Sequence, residues 1–272
     1  MRSTTTTATR HALKASARAW DSLRPAPAGM TILIYHRVGA GAGGQMDLSP
    51  AVFDEQLRWL RATQRVVSLD DAAAELSQDG PVPSGVVITF DDGTTDWVDH
   101  VLPALERHRV PATFYVATDF VDRQVRFPGE GRPITWGGLK ELASSSLVTV
   151  GSHTHRHLLL DRLPPGEIDD ELERSIDLLA DQLGTRPSHF AYPKAVAGSV
   201  AAQNAVRSRF RTAVLAGTRP NPAPSDLHRL ARSPVQASDS PRWFRAKANG
   251  RLHLEDDVRQ LANRLRYRHA TR

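Results

Sequence analysis

Short runs of apolar, β-branched residues alternate along the chain with segments whose apolar positions recur every three or four residues. "TILIYHRV" (31–38), "GVVITF" (85–90), "ATFYVA" (112–117), "LVTVG" (147–151), "HFAY" (189–192) and "RTAVLA" (211–216) are of the first kind and predict buried strands. The second kind lies between them. Ser49 followed by Pro50 predicts an N-cap and a first-turn proline for a helix that carries Phe53, Leu57 and Leu60 on one face. Asp70 opens a short helix, "DAAAELS", and Trp97, Val101 and Leu105 mark another in "TDWVDHVLPALERHR". A polar stretch, "TDFVDRQVRFPGEGRP", precedes the helix "TWGGLKELAS". The plainest helix spans 166–183, where Ile168, Leu172, Ile176, Leu179 and Leu183 form a stripe opposite acidic residues. A last one starts near 199. This alternation predicts parallel strands with helices packed outside them, as a barrel or an open sheet. In both arrangements ligands gather at the carboxyl ends of the strands.

Composition narrows the chemistry. At 272 residues with 40% hydrophobic content the chain can bury a sizeable core, and α/β barrels of this size fold as one domain. It has no cysteine, which excludes disulfides, thiolate metal sites and cysteine nucleophiles. The net charge of +5 is concentrated at the two ends. Residues 1–29 read as a basic N-terminal segment, 30–250 as the body, and 251–272 as a basic closing helix with Val258, Leu261 and Leu265 facing inward. No nucleic-acid-binding signature accompanies these ends, so they read as solvated tails. No signal-peptide-like or membrane-spanning apolar stretch is present, which makes the cytoplasm the expected location.

The strand ends carry the candidate chemistry. "GVVITFDDGT" closes a core strand on two adjacent carboxylates, Asp91 and Asp92, which are costly to desolvate without a positive partner. Taken alone, an Asp-Gly turn in solvent explains the pair equally well. Strand 147–151 runs into "GSHTHRH", with His153 and His157 four apart and His155 between them. Two imidazoles plus a carboxylate suit a divalent metal that keeps open positions. His36 ends the first strand and by itself is as readily a structural histidine. "HFAY" breaks at Pro193, where freed backbone N–H groups can act as oxyanion donors.

"VVITFDDG", "ITWGGLKELASSSLVTVGSHTHRH" and "FAYP", in this order over residues 31–236, resemble the polysaccharide deacetylase family, the NodB-homology domain of family 4 carbohydrate esterases. The resemblance implies a distorted (β/α) barrel of about seven parallel strands. It also implies removal of N-acetyl groups from a carbohydrate built of N-acetylated amino sugars, with a bound divalent metal, zinc being the expected ion. Carried onto this chain, it makes Asp92, His153 and His157 the metal ligands and Asp91 the general base. Thr154 takes the place of a family Ser/Thr that orients its neighbours, and His155 matches no role. "TILIYHRVG" resembles the first strand of a circularly permuted subgroup that includes poly-N-acetylglucosamine deacetylases, which makes His36 the candidate acid for the leaving amine.

The chain departs from the family pattern in three places. The third motif reads Ala191-Tyr192-Pro193-Lys194-Ala195, so the backbone N–H of Lys194 is the candidate oxyanion donor. The arginine that usually orients the base is missing at Ala191; Arg232, in "LHRLARSPV", resembles one found in the permuted subgroup and is its candidate substitute. Thr94 stands where an aromatic residue often follows Asp-Asp-Gly. The altered third motif leaves two other readings open: a non-catalytic glycan-binding protein on the same fold, and a hydrolase of small-molecule amides.

Overall fold

The computed structural model describes residues 28–127 and 131–252. The basic N-terminal segment and the closing helix expected at 251–272 therefore lie almost wholly outside the described residues. In chain order the elements are β1 (Met30–Tyr35), β2 (Arg37–Val38), β3 (Asp47–Leu48), α1 (Pro50–Thr63), α2 (Leu69–Leu76), β4 (Gly85–Asp92) and α3 (Leu102–His108). They continue with β5 (Ala112–Val116), α4 (Thr118–Arg123), α5 (Trp136–Ala143), β6 (Val148–Ser152), α6 (Pro165–Leu183) and β7 (His189–Ala191). The last are α7 (Val200–Arg207), β8 (Thr212–Ala216), β9 (Leu230–Pro234) and α8 (Pro241–Ala248).

Seven parallel strands close into a barrel in the order β1-β4-β5-β6-β7-β8-β9, with β9 returning to pair with β1 at Ile32↔Arg232. This is the (β/α) barrel expected from the sequence. It is distorted: β1 and β4 share six register pairs, whereas β6 and β7 are joined through one, Ser152↔Phe190. Strands β2 and β3 form a separate parallel pair above β1.

Every residue of β4 is buried, because one face looks into the barrel and the other onto helices. On the outer face Phe90 stacks on Phe114 (ring centroids 4.9 Å apart) and on Tyr35 (5.3 Å), with Phe53 of α1 and Trp97 edge-on against it. On the inner face Met30, Ile32, Val87, Tyr115, Val214 and Leu230 meet the apolar side of α2, Leu69, Ala72 and Leu76. The helix starts follow the capping signals. Ser49 Oγ accepts from the Val52 N–H ahead of Pro50, and Ser68, two residues before the expected start, caps α2 through the Asp71 N–H. In α6 the predicted stripe is buried at Ile168, Leu172, Ile176 and Leu179, and the helix ends on Gly184 at φ 71°.

Three elements differ from the sequence reading. The helix expected from residue 95 begins as a π-helical turn, Trp97–Val101, before α3. The polar stretch after β5 contains α4. Strand β9 was not legible as one, since Arg232 and Ser233, both buried, break its apolar run.

One glycine sets how closely β6 can approach its neighbours. A Cβ on Gly151 would lie 2.7 Å from the His189 carbonyl oxygen and 2.7 Å from the Tyr115 ring. Gly151→Ala is expected to cost about 1–3 kcal/mol, read as a lowered urea midpoint with unchanged slope.

Candidate active site

Four strands deliver the predicted side chains to one end of the barrel. Strand β4 ends on Asp91 and Asp92, and β6 leads into His153 and His157. His36 follows β1, and Arg232 comes from β9. The path is strained where it matters: Asp92 (φ 89°), Thr154 (φ 64°) and His157 (φ 59°) are non-glycine residues in left-handed backbone.

Asp92, His153 and His157 bring one donor atom each within 4.8 Å of one another. The Asp92 Oδ1 lies 3.9 Å from His153 Nε2 and 3.8 Å from His157 Nε2. These gaps are too long for hydrogen bonds. They leave room for a divalent cation with ligand bonds of about 2.0–2.2 Å. His153 Nδ1–H donates to the Ala191 carbonyl at 2.7 Å, which fixes the tautomer with Nε2 as the free acceptor facing Asp92. Burial pushes the pKa of both imidazoles down, and for His157 the neighbouring His153 helps bring it to about 4, so both stay neutral, as ligands must. The donor set and tautomer fit a resident divalent metal.

Asp91 stands apart from this trio. Its Oδ1 accepts from Arg232 Nη1 at 2.6 Å and its Oδ2 from Nη2 at 2.8 Å, a two-pronged pair. The guanidinium is fully enclosed, with Nη1 also donating to Thr89 Oγ1 at 3.0 Å and its carbon 5.2 Å from the Tyr115 ring centre. Burial works to raise the Asp91 pKa, but the charge and the hydrogen bonds of Arg232 override it and lower the value to about 2. His36, just after β1, is half-buried. Lys194, exposed, sits in a tight turn, Pro193–Ala195, where it and Ala195 have φ 53° and 54°.

The loop carrying the imidazoles is fixed by residues the sequence reading left without a role. His155 is buried, with Nδ1 2.9 Å from the Thr118 hydroxyl and Nε2 3.6 Å from Asp119 Oδ1. The buried Glu171 of α6 binds the Arg156 backbone N–H (2.8 Å) and side chain, and its carbonyl accepts from the His155 N–H. Thr154 contributes through its carbonyl, which accepts from the Thr118 N–H at 3.3 Å; its hydroxyl has no partner among the described residues. The acidic residue at 171, beside Leu172 on the buried face of α6, was the available signal for this anchor.

Seven parallel strands thus carry, at their carboxyl ends, an Asp-His-His cluster that could hold a metal ion. Residues 79–213 match the family model described as Polysaccharide deacetylase, and the chain belongs to that family, the NodB/CE4 deacetylases. It is 26% identical over 215 residues to YxkH of Bacillus subtilis (strain 168), a polysaccharide deacetylase by assigned name, covering 76% of this chain and 73% of that one. It is 32% identical over 138 residues to the poly-beta-1,6-N-acetyl-D-glucosamine N-deacetylase of Escherichia coli (strain K12), covering 46% of this chain and only 20% of that enzyme's length. The Streptococcus pyogenes deacetylase PplD, solved in complex with acetate, shares the fold at TM-score 0.69 and 24% identity, over 82% of this chain and 99% of that one.

Proposed function

We propose that this protein is a metal-dependent N-deacetylase that hydrolyses the acetamide of an N-acetylglucosamine-containing glycan. The observation that carries the reading is a second buried carboxylate, Asp91, lying beside the Asp92–His153–His157 cluster but outside it, held by Arg232 through both oxygens. A binding module has no use for such a group, and a deacetylase needs one. The family match and the similarity to the Escherichia coli enzyme support the reaction and the substrate class.

Asp92, His153 and His157 would hold the metal. A divalent cation there supplies Lewis acidity to the acetyl carbonyl and makes a neighbouring water more acidic. Asp91, ionised and fixed in orientation by Arg232, takes the proton from that water as its oxygen bonds to the carbonyl carbon. We assign the Lys194 N–H as a donor to the carbonyl oxygen as it gains negative charge. His36 delivers a proton to the amide nitrogen as the C–N bond breaks, so the products are acetate and a free amino sugar.

Metal-loaded protein is expected to release acetate from N-acetylglucosamine oligomers faster than from the monomer. Binding of the oligomers without acetate release would instead make it a glycan-binding protein, and a preference for small amides would move the substrate out of the glycan class. Zinc added to metal-free protein should raise the melting temperature, by an amount equivalent to about 2.7 kcal/mol at one hundred times Kd. His153→Ala and His157→Ala should each abolish that rise.

A further inference from the structure

Asp96 begins the π-helical turn that follows the Asp-Asp-Gly strand end, a place where an aspartate ordinarily caps its own helix. Its side chain makes no cap hydrogen bond. Instead Asp96 Oδ2 accepts the backbone N–H of Val38 at 2.7 Å, across the top of the barrel. The next residue reaches to the same place: Trp97 Nε1–H donates to the carbonyl of His36 at 2.8 Å. Both side chains are buried, Asp96 at 3% exposure and Trp97 at 0%.

The backbone between these two anchors is otherwise half-committed. The N–H groups of Arg37 and Gly39 point toward the β3 side, to the carbonyls of Met46 (3.1 Å) and Leu48 (2.8 Å). Extended backbone alternates its N–H directions, so the Val38 N–H points the opposite way, and Asp96 is what meets it. The His36 carbonyl is met by Trp97. The chain is therefore clamped at the His36 carbonyl and again two residues later at the Val38 N–H, both clamps supplied by the turn that starts four residues after Asp92. Burial pushes the Asp96 carboxyl above its ordinary pKa range, against the lowering effect of the Val38 N–H. What the clamp requires is an acceptor oxygen, not a negative charge.

We propose that Asp96, together with Trp97, is a positioning residue for His36, fixing the backbone from which the imidazole reaches the departing amine. This rests on the reading of His36 as the proton donor, and the experiment separates the two. An acetamide leaving group must be protonated as it departs, whereas the 4-nitrophenolate of 4-nitrophenyl acetate leaves as a stable anion. Loss of the donor, or of its placement, should therefore slow amide hydrolysis and spare the ester; a general loosening of the site should slow both.

The rates of acetate release from an N-acetylglucosamine oligomer and of 4-nitrophenyl acetate hydrolysis would be measured with metal content for the full chain and its variants. His36→Ala is expected to lower the amide-to-ester ratio roughly 100-fold or more. Asp96→Ala should lower it roughly 10- to 100-fold, Asp96→Asn should recover most of that loss, and the His36→Ala/Asp96→Ala double variant should be no worse than His36→Ala. If His36→Ala leaves the ratio unchanged, the proton-donor reading fails. If His36→Ala lowers it but Asp96→Ala slows amide and ester equally, or adds its full effect in the double variant, the positioning role fails while the donor stands. Should Asp96→Ala not fold, Trp97→Phe, which removes the donor to the His36 carbonyl along with part of a buried ring, carries the same test through the ratio, since lost packing alone slows amide and ester alike: the ratio must fall, and an unchanged ratio overturns the proposal.

Discussion

Asp91→Asn should reduce acetate release by roughly 10²- to 10⁴-fold with the metal stoichiometry of the purified protein unchanged. The amide keeps the shape of the carboxylate but cannot take a proton from water at neutral pH. Asp92, His153 and His157, which hold the ion in this reading, are untouched by the change. Metal analysis beside the kinetics keeps the result interpretable. A variant that lost metal and rate together would make Asp91 a ligand, and one that kept full rate on every acetylated sugar would remove it from the reaction. Stability should fall as well, because an amide NH₂ would face one prong of a guanidinium that is 0% exposed.

Arg232→Met should be as damaging by a different route. It strips a buried carboxylate of its counter-charge and of both hydrogen bonds. Breaking one side of a buried ion pair costs about 3–5 kcal/mol, enough to remove much of a typical domain's stability. Urea unfolding should show that loss, and acetate release should fall in parallel. Arg232→Lys should rescue only part of either, since an ammonium has the charge but not the planar fork. The informative variant is Asp91→Asn/Arg232→Met. Removing both charges removes the mismatch each single change creates, so the double variant should unfold at higher urea than Arg232→Met alone while remaining inactive. Additive losses of stability in the double variant would show that the two residues do not act as a pair.

The parts of the molecule that could be read from the sequence are those where local chemistry and tertiary placement agree. Apolar β-branched runs became the first six barrel strands, and the 168–179 stripe became the buried face of α6. The two halves of the Asp-His-His cluster were legible because each closes a strand, and parallel strands in a barrel bring their carboxyl ends together. Strand β9 was hidden for the opposite reason. Its arginine points into the barrel, where the periodicity rule expects an apolar residue, and only the partner carboxylate on β4 makes that placement tolerable. His155 was hidden because the groups that satisfy it, Thr118 and Asp119, belong to a six-residue helix too short to show a periodic apolar stripe. Asp96 drew no reading of its own, because its partner, the Val38 N–H, is 58 positions earlier in the chain.

Closure of the barrel through Ile32 and Arg232 has a consequence for biosynthesis. Asp91, Asp92, His153 and His157 all emerge from the ribosome long before residue 232, yet the arginine that holds Asp91 is delivered by the final staple of the cylinder. A nascent polypeptide halted or clipped ahead of that point would lack the two-pronged partner of Asp91. The buried Asp91–Arg232 pair is thereby deferred until the first and last strands of the barrel have met.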